Sequence, residues 1–218
     1  MDHKTINNLN IIKNEVVSEK QGVNIIAVTK TFPIEIINPL LNHGHTHFGE
    51  NKVQEAVKKW SNIKPHFQNI KLHMIGKLQS NKVKFALPLF DYIHSLDNQK
   101  LAEKISLYQK KTETKPKIFI QVNIGNEKQK NGIDKKDLKS FYTLCVENFN
   151  LQIIGLMCIP PEGKDSDFFF KEMLQLNNYL GLKEMSMGMS NDYNLAVKNG
   201  STFIRVGSKI FGKRSVKF

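Results

Sequence analysis

The sequence is poor in several residue types: 2 cysteines, 1 tryptophan and only two arginines, Arg205 and Arg214, in 218 residues. Cys145 and Cys158 sit inside apolar runs, TLCVE and LMCIP, which suits free thiols in a core better than a disulfide framework or a metal pair. No stretch of eighteen apolar residues exists, so nothing reads as a membrane-spanning helix. The N-terminus, MDHKTINNLNIIKNEVVSEKQG, lacks the apolar core and cleavage site of a secretory signal. A cytoplasmic chain with no membrane partner is expected. No linker, low-complexity tract or internal repeat interrupts it, and residues 1–218 are expected to form one domain, a length that one hydrophobic core can serve.

Charge is plentiful but one-sided, with a formal net charge of +12 and a sequence pI of about 9.6. That keeps nucleic acid among the possible partners. Arginine forks carry most base-edge recognition, however, and here the charge is lysine spread along the whole chain. A solvated, phosphate-seeking surface is the better reading, and no specific nucleic-acid partner is expected.

Eight short apolar segments recur: VNIIAVTK (23–30), HTHFGE (45–50), IKLHMIG (70–76), DYIHSLD (91–97), KIFIQVNIG (117–125), LQIIGLMCIP (151–160), LKEMSMGMS (182–190) and STFIRVGSKIFG (201–212). Segments with helical spacing or charge alternate with them, most opening on Ser, Asn or Asp as N-caps. Strand–helix alternation indicates a parallel sheet. Eight units in about 200 residues suit a closed (β/α)₈ TIM barrel, whereas a doubly wound sheet needs five or six strands. Residues 2–20, with Ile6, Leu9, Ile12 and Val16 on one face, predict an extra N-terminal helix. GNEKQKNG, 125–132, is the nearest thing to a flexible loop.

In such barrels the C-terminal strand ends build the site. Lys30 closes the first strand, and Glu50, Asn51, Lys77, Ser95, Asp97, Asn123, Ser186, Ser190, Arg205 and Ser208 fall at equivalent places. The mouth is expected to be polar and the strands apolar. Among apolar walls the neutral form of Lys30 is favoured, as carbonyl chemistry requires. Snorkelling to water is the competing reading. After strands seven and eight, Ser186, Gly207 and Ser208 offer hydroxyls and backbone N–H groups suited to a phosphate, though each alone also reads as a turn or cap. A lysine on strand one together with a phosphate cradle after strands seven and eight describes a site for a phosphorylated aldehyde such as pyridoxal 5′-phosphate. Arg205 would then face the pyridine nitrogen and disfavour its protonation, or else pair with a nearby carboxylate.

The stretches AVTKTFP, HFGENKVQEA, HMIGKLQSNK, IHSLD, QVNIGNEKQKNGI, GLMCIPP, MSMGMSND and GSTFIRVGSKIFGKR resemble the pyridoxal phosphate homeostasis proteins, and with them the N-terminal barrel domain of alanine racemase. The similarity runs from about residue 23 onward. It implies a Schiff base on Lys30, Asn51 near the cofactor, Ser186 with the backbone of Gly207 and Ser208 on the phosphate, and Arg205 at the pyridine nitrogen. His73, Met74, Ser95 and Met187 are expected to line the pocket. Three departures stand out: Ser208 is often threonine in the family, Cys158 replaces a small or hydroxyl residue, and the segment before the first strand is short and lacks the family's usual asparagine and arginine pattern.

Racemases of this barrel type use a second base, a tyrosine from a further domain, and the chain ends soon after its eighth strand. Of Tyr92, Tyr108, Tyr142, Tyr179 and Tyr193, only Tyr193 lies near the phosphate segment. The resemblance therefore implies a non-catalytic pyridoxal phosphate carrier that buffers or delivers cofactor to PLP-dependent apo-enzymes and affects amino-acid and keto-acid balance. A weak amino-acid racemase is the alternative. A monomer is expected. Lys128 and Lys130 of the 125–132 loop and Lys213, Arg214 and Lys217 of the tail could draw cofactor or a recipient enzyme, although a solvated basic surface explains them as well.

Overall fold

The computed structural model describes residues 3–127 and 129–212. Lys128, Lys213, Arg214 and Lys217 lie outside the described residues. Eight parallel strands close into a barrel in sequence order: β1 Asn24–Val28, β2 His47–Glu50, β3 Lys71–Met74, β4 Tyr92–Leu96, β5 Lys117–Gln121, β6 Ile153–Met157, β7 Glu184–Met189 and β8 Phe203–Val206. All eight expected strands are present; the eighth segment divides into β8 and a short helix. The helices are α1 Lys4–Glu19, α2 Ile34–Asn42, α3 Val53–Trp60, α4 Val83–Ala86, α5 Gln99–Thr112, α6 Leu138–Thr143, α7 Ser166–Tyr179, α8 Tyr193–Lys198 and α9 Ser208–Phe211.

Strand alternation sorts the side chains into two sets. Ala27, Phe48, Leu72, Ile93, Ile118, Leu156, Met185 and Ile204 face outward into the large core beneath the helices. Ile26, Tyr92, Phe119, Met157 and Phe203 form a separate cluster. These five come from β1, β4, β5, β6 and β8, so they can meet only in the lumen. An eight-stranded barrel leaves just enough room for side chains to fill it. The expectation of apolar strands fails here, because the lumen also takes His47, His73, His94, Ser186 and Arg205.

The extra helix has a clear task. In α1, Leu9, Ile12 and Val16 are buried as expected, joined by Thr5, while Ile6 is only partly buried. It lies against α2, α8 and α9, over the seam where β8 meets β1. Polar links fix it there: Asn8 donates to the Ile210 carbonyl (2.9 Å), Lys20 to the Gly200 carbonyl (2.9 Å), and the Tyr193 hydroxyl donates to Glu15. The expected N-caps are realised at α5 and α7, where Asn98 and Asp165 accept from backbone N–H groups. At α3 the cap is Lys52, with no side-chain bond.

The 125–132 loop is less free than its composition suggests. Asn123 both accepts from the Glu127 N–H and donates to the Glu127 carbonyl, each at 3.1 Å, and Lys77 donates to Asn131 (2.7 Å). Gly132 has φ +129°, and a Cβ there would stand 2.5 Å from the Asn123 nitrogen, so the return into the sheet needs glycine. Barrel closure is equally tight between β6 and β7, where a Cβ on Gly155 would stand 1.9 Å from the Glu184 carbonyl oxygen. We predict that Gly155→Ala lowers the urea unfolding midpoint by the equivalent of about 1–3 kcal/mol, the usual cost of overpacking. An unchanged midpoint would show that the β6–β7 contact yields freely.

Candidate functional site at the barrel mouth

Lys30 follows β1 immediately and is partly buried. Ile26 belongs to the lumen cluster, so the two-residue period carries Val28 and Lys30 on the same inward side. What fixes this turn lies outside the barrel. Glu50, which the sequence suggests as a mouth residue, is fully buried and points away, between β2 and α3. Its Oε1 accepts from the Thr29 hydroxyl (2.7 Å), the Lys59 ammonium (2.8 Å) and the Trp60 indole (2.9 Å). Lys59 also donates to the Thr29 carbonyl (2.9 Å), and the Thr31 N–H, at φ +66°, donates to Glu55 (2.6 Å). Both neighbours of Lys30 are thereby pinned, one on each side.

Asn51 stands partly buried at the end of β2. The loop after β3 crosses it so closely that a Cβ on Gly76 would lie 2.4 Å from the Asn51 carbonyl oxygen. Beyond β7, Ser190 is partly buried and its Oγ accepts from the Gly207 N–H (3.3 Å); Ser208 is exposed at the start of α9. Because β7, β8, β1 and β2 are consecutive in the barrel, Ser190, Gly207, Ser208, Lys30 and Asn51 share one side of the mouth.

Ser186 stands elsewhere. It is fully buried in the lumen, where its Oγ accepts from Arg205 Nη1 (2.6 Å) and pairs with His94 Nδ1 (2.8 Å). The serine beside the Gly207 N–H is Ser190. Ser186 falls within β7 and Ser190 beyond it, past a shift in the β7–β8 register between Ser186 and Met189. Arg205 is buried as well, and its Nη2 donates to the Cys158 carbonyl (2.8 Å). No carboxylate among the described residues is hydrogen-bonded to Arg205, so the alternative of a paired carboxylate is not met, although Asp192 is near enough to favour its charged form.

Met74 and Met187, expected to line the pocket, belong instead to the outer core, and Asn123, just beyond the end of β5, ties the 125–132 loop. Ser95 is buried, with no hydrogen-bond partner for its hydroxyl among the described residues. Tyr193 faces α1, bonded to Glu15, and burial together with that carboxylate raises its pKa. Tyr92 begins β4, at the opposite end of the barrel, and Tyr108, Tyr142 and Tyr179 lie on outer helices. No tyrosine reaches the mouth.

The residues that sequence reasoning missed are His47 and His94; His73, expected to line the pocket, lies between them in the lumen. His94 Nε2 lies 2.9 Å from His73 Nδ1, and His73 Nε2 lies 2.9 Å from His47 Nδ1. His73 stacks on Tyr92 with centroids 4.3 Å apart, and His94 on Phe119 at 4.4 Å. Their signal was the two-residue period: His47 of HTHFGE alternates with outward Phe48, and His94 of YIHSL with outward Ile93.

A family model described as the alanine racemase N-terminal domain matches residues 3–215. The pyridoxal phosphate homeostasis protein of Aquifex aeolicus is 35% identical over 199 residues, 87% of this chain and 86% of that protein. Its Escherichia coli counterpart is 35% identical over 208 residues, 89% of this chain and 87% of that protein. The chain belongs to the pyridoxal phosphate homeostasis protein family. A solved structure of PipY from Synechococcus elongatus with PLP bound matches with a TM-score of 0.87 and 34% identity, covering 95% of this chain and 100% of that one. Alanine racemase of Clostridium difficile, at 12% identity and a TM-score of 0.75, covers 97% of this chain and 58% of that one; it shows the same fold and no more. No helix among the described residues is long and apolar enough to cross a membrane.

Burial holds the histidines neutral. His45 and His47 are pulled down to about 4, and His73 and His94 well below their ordinary value. In the unfolded chain they titrate near 6.5. As pH falls below that value the unfolded state binds protons that the native state refuses, so stability is complete above about pH 6.5 and is lost as pH drops toward 4. At pH 5 the loss is about 2 kcal/mol for each such histidine. Urea midpoints measured at pH 7.5 and pH 5 should differ accordingly; equal midpoints would mean that the histidines are not buried in neutral form.

Proposed function

We propose that this protein binds pyridoxal 5′-phosphate as a Schiff base on Lys30 and serves in cofactor homeostasis, holding PLP and releasing it to PLP-dependent apo-enzymes without turning over a substrate of its own. The carrying observation is the convergence at one side of the mouth of Lys30, Asn51, Ser190, Gly207 and Ser208, with the Arg205 guanidinium buried just beneath. The residues fit the group: an amine for its aldehyde, hydroxyl and backbone donors for its phosphate, and, for its pyridine nitrogen, a cation to which no carboxylate among the described residues is hydrogen-bonded. The PLP-bound PipY relative supports the same reading. The phosphate role passes from Ser186 to Ser190, because the Ser186 hydroxyl is already engaged by Arg205 and His94.

In this reading PLP supplies the electron-withdrawing ring chemistry, and the chain sets what that ring can do. Arg205 presents N–H donors to the pyridine nitrogen and keeps a proton off it, which weakens carbanion stabilisation. Lys30 is the only mouth base proposed, and two-base racemisation has no tyrosine partner there. A cytoplasmic monomer whose partners are free PLP and recipient apo-enzymes follows from the same reading.

Spectral titration with PLP is expected to give a saturable complex in the wild type, none in Lys30→Ala, and about tenfold weaker binding in Ser190→Ala, the usual worth of a hydrogen bond to a charged group. Saturable binding undiminished in Lys30→Ala would overturn the assignment of the lysine. The PLP-loaded protein should also leave the α-proton of D- and L-amino acids unexchanged with solvent deuterium; Lys30-dependent exchange at enzymatic rates would make it a racemase instead.

A further inference from the structure

The polar chain beneath the mouth has a direction. A guanidinium can only donate, so Ser186 Oγ accepts from Arg205 at 2.6 Å. The serine has one proton left to give, and its other partner in the lumen is His94 Nδ1 at 2.8 Å. If His94 carried its proton on Nδ1, the fully buried serine would receive two donors and its own proton would have no acceptor. An unmet buried donor costs about 1–3 kcal/mol. Ser186 therefore donates to His94, which places the His94 proton on Nε2. That nitrogen donates to His73 Nδ1 (2.9 Å), and His73 Nε2 donates to His47 Nδ1 (2.9 Å). His47, the last of the series, begins β2 and is partly exposed at the opposite end of the barrel.

Every dipole in this series turns its negative end toward Arg205. Resting on the reading of Arg205 as the group that faces a pyridine nitrogen, we propose that Ser186, His94, His73 and His47 are positioning residues: a neutral, one-way hydrogen-bonded chain that holds the Arg205 guanidinium in place where no carboxylate among the described residues is hydrogen-bonded to it. Aligned neutral dipoles stabilise a buried cation, and hydrogen bonds in series strengthen one another in a medium of low polarity. A carboxylate at Ser186 would form a bidentate pair and draw the guanidinium fork downward. The chain uses one N–H of Nη1 and the Cys158 carbonyl one of Nη2, so three of the five donors remain for the mouth. Stacking of His73 on Tyr92 and of His94 on Phe119 keeps the rings from turning and reversing the series.

Two experiments on the intact protein test this. Long-range proton–nitrogen NMR of the 15N-labelled protein without cofactor, between about pH 6 and 8, should find His73 and His94 as the Nε2–H tautomer; the Nδ1–H form at His94 would overturn the direction of the chain. Ser186→Ala should weaken PLP binding about tenfold, the loss of one hydrogen bond to a charged group. The control is Ser201→Ala, an equally buried serine bonded to the carbonyls of Met185, Met187 and Phe203 and outside the chain, which should bind within about twofold of wild type. Equal binding by Ser186→Ala and wild type, or equal weakening in both variants, would overturn the positioning role. A wild type that takes up no PLP would remove the cofactor reading instead, and the tautomer result would still decide the chain.

Discussion

Burying an arginine with no carboxylate hydrogen-bonded to it among the described residues is the constraint around which this barrel is organised. The lumen is narrow, and a guanidinium placed there must have its hydrogen bonds met or it destabilises the fold by several kcal/mol. The solution spans the barrel. The Cys158 carbonyl takes one donor, Ser186 another, and behind Ser186 three imidazoles pass the polarity down to His47. Apolar rings fill the remaining space: Tyr92, Phe119 and Phe203 pack against the histidines while Ile26 and Met157 complete the layer. Each histidine is thus both a filler and a link, and both tasks require it neutral.

The second organising element lies on the other side of the sheet. Glu50 gathers Thr29, Lys59 and Trp60 at a single oxygen, and Glu55 takes the Thr31 N–H. The turn carrying Lys30 is held from outside the barrel, through the residues on either side of the lysine. Two separate buried polar systems underlie the mouth, one inside the lumen and one beneath α3. The extra helix α1 adds a third support, tying the closing seam through Asn8, Lys20 and Glu15.

The fold was largely legible because its signals are periodic. Apolar runs alternating with capped helices gave all eight strands and the extra helix, and the position of Lys30 after VNIIAV placed it at the mouth. Level along a strand was harder to read. Choosing between Ser186 and Ser190 needs the length of β7 and the register shift that follows Ser186. Met74, Met187 and Glu50 fall one residue out of phase with the lumen, so proximity to the mouth in sequence turned them outward in space. His47 and His94 were hidden by expectation: a polar residue inside a strand of a buried sheet has meaning only when its partners on other strands are known, and the pairings of the series span 26, 21 and 92 residues of sequence. Tyr193 was near the right segment but faces α1, because the helix it begins packs outside the sheet.

The most direct test of the account is borohydride reduction of the protein incubated with PLP, followed by peptide mass mapping of the pyridoxyl label. The account predicts stoichiometric label on Lys30, in the peptide containing AVTKTFP. Label distributed over surface lysines with Lys30 unmodified would contradict it, and would mean that the family's barrel is kept here without the cofactor bond.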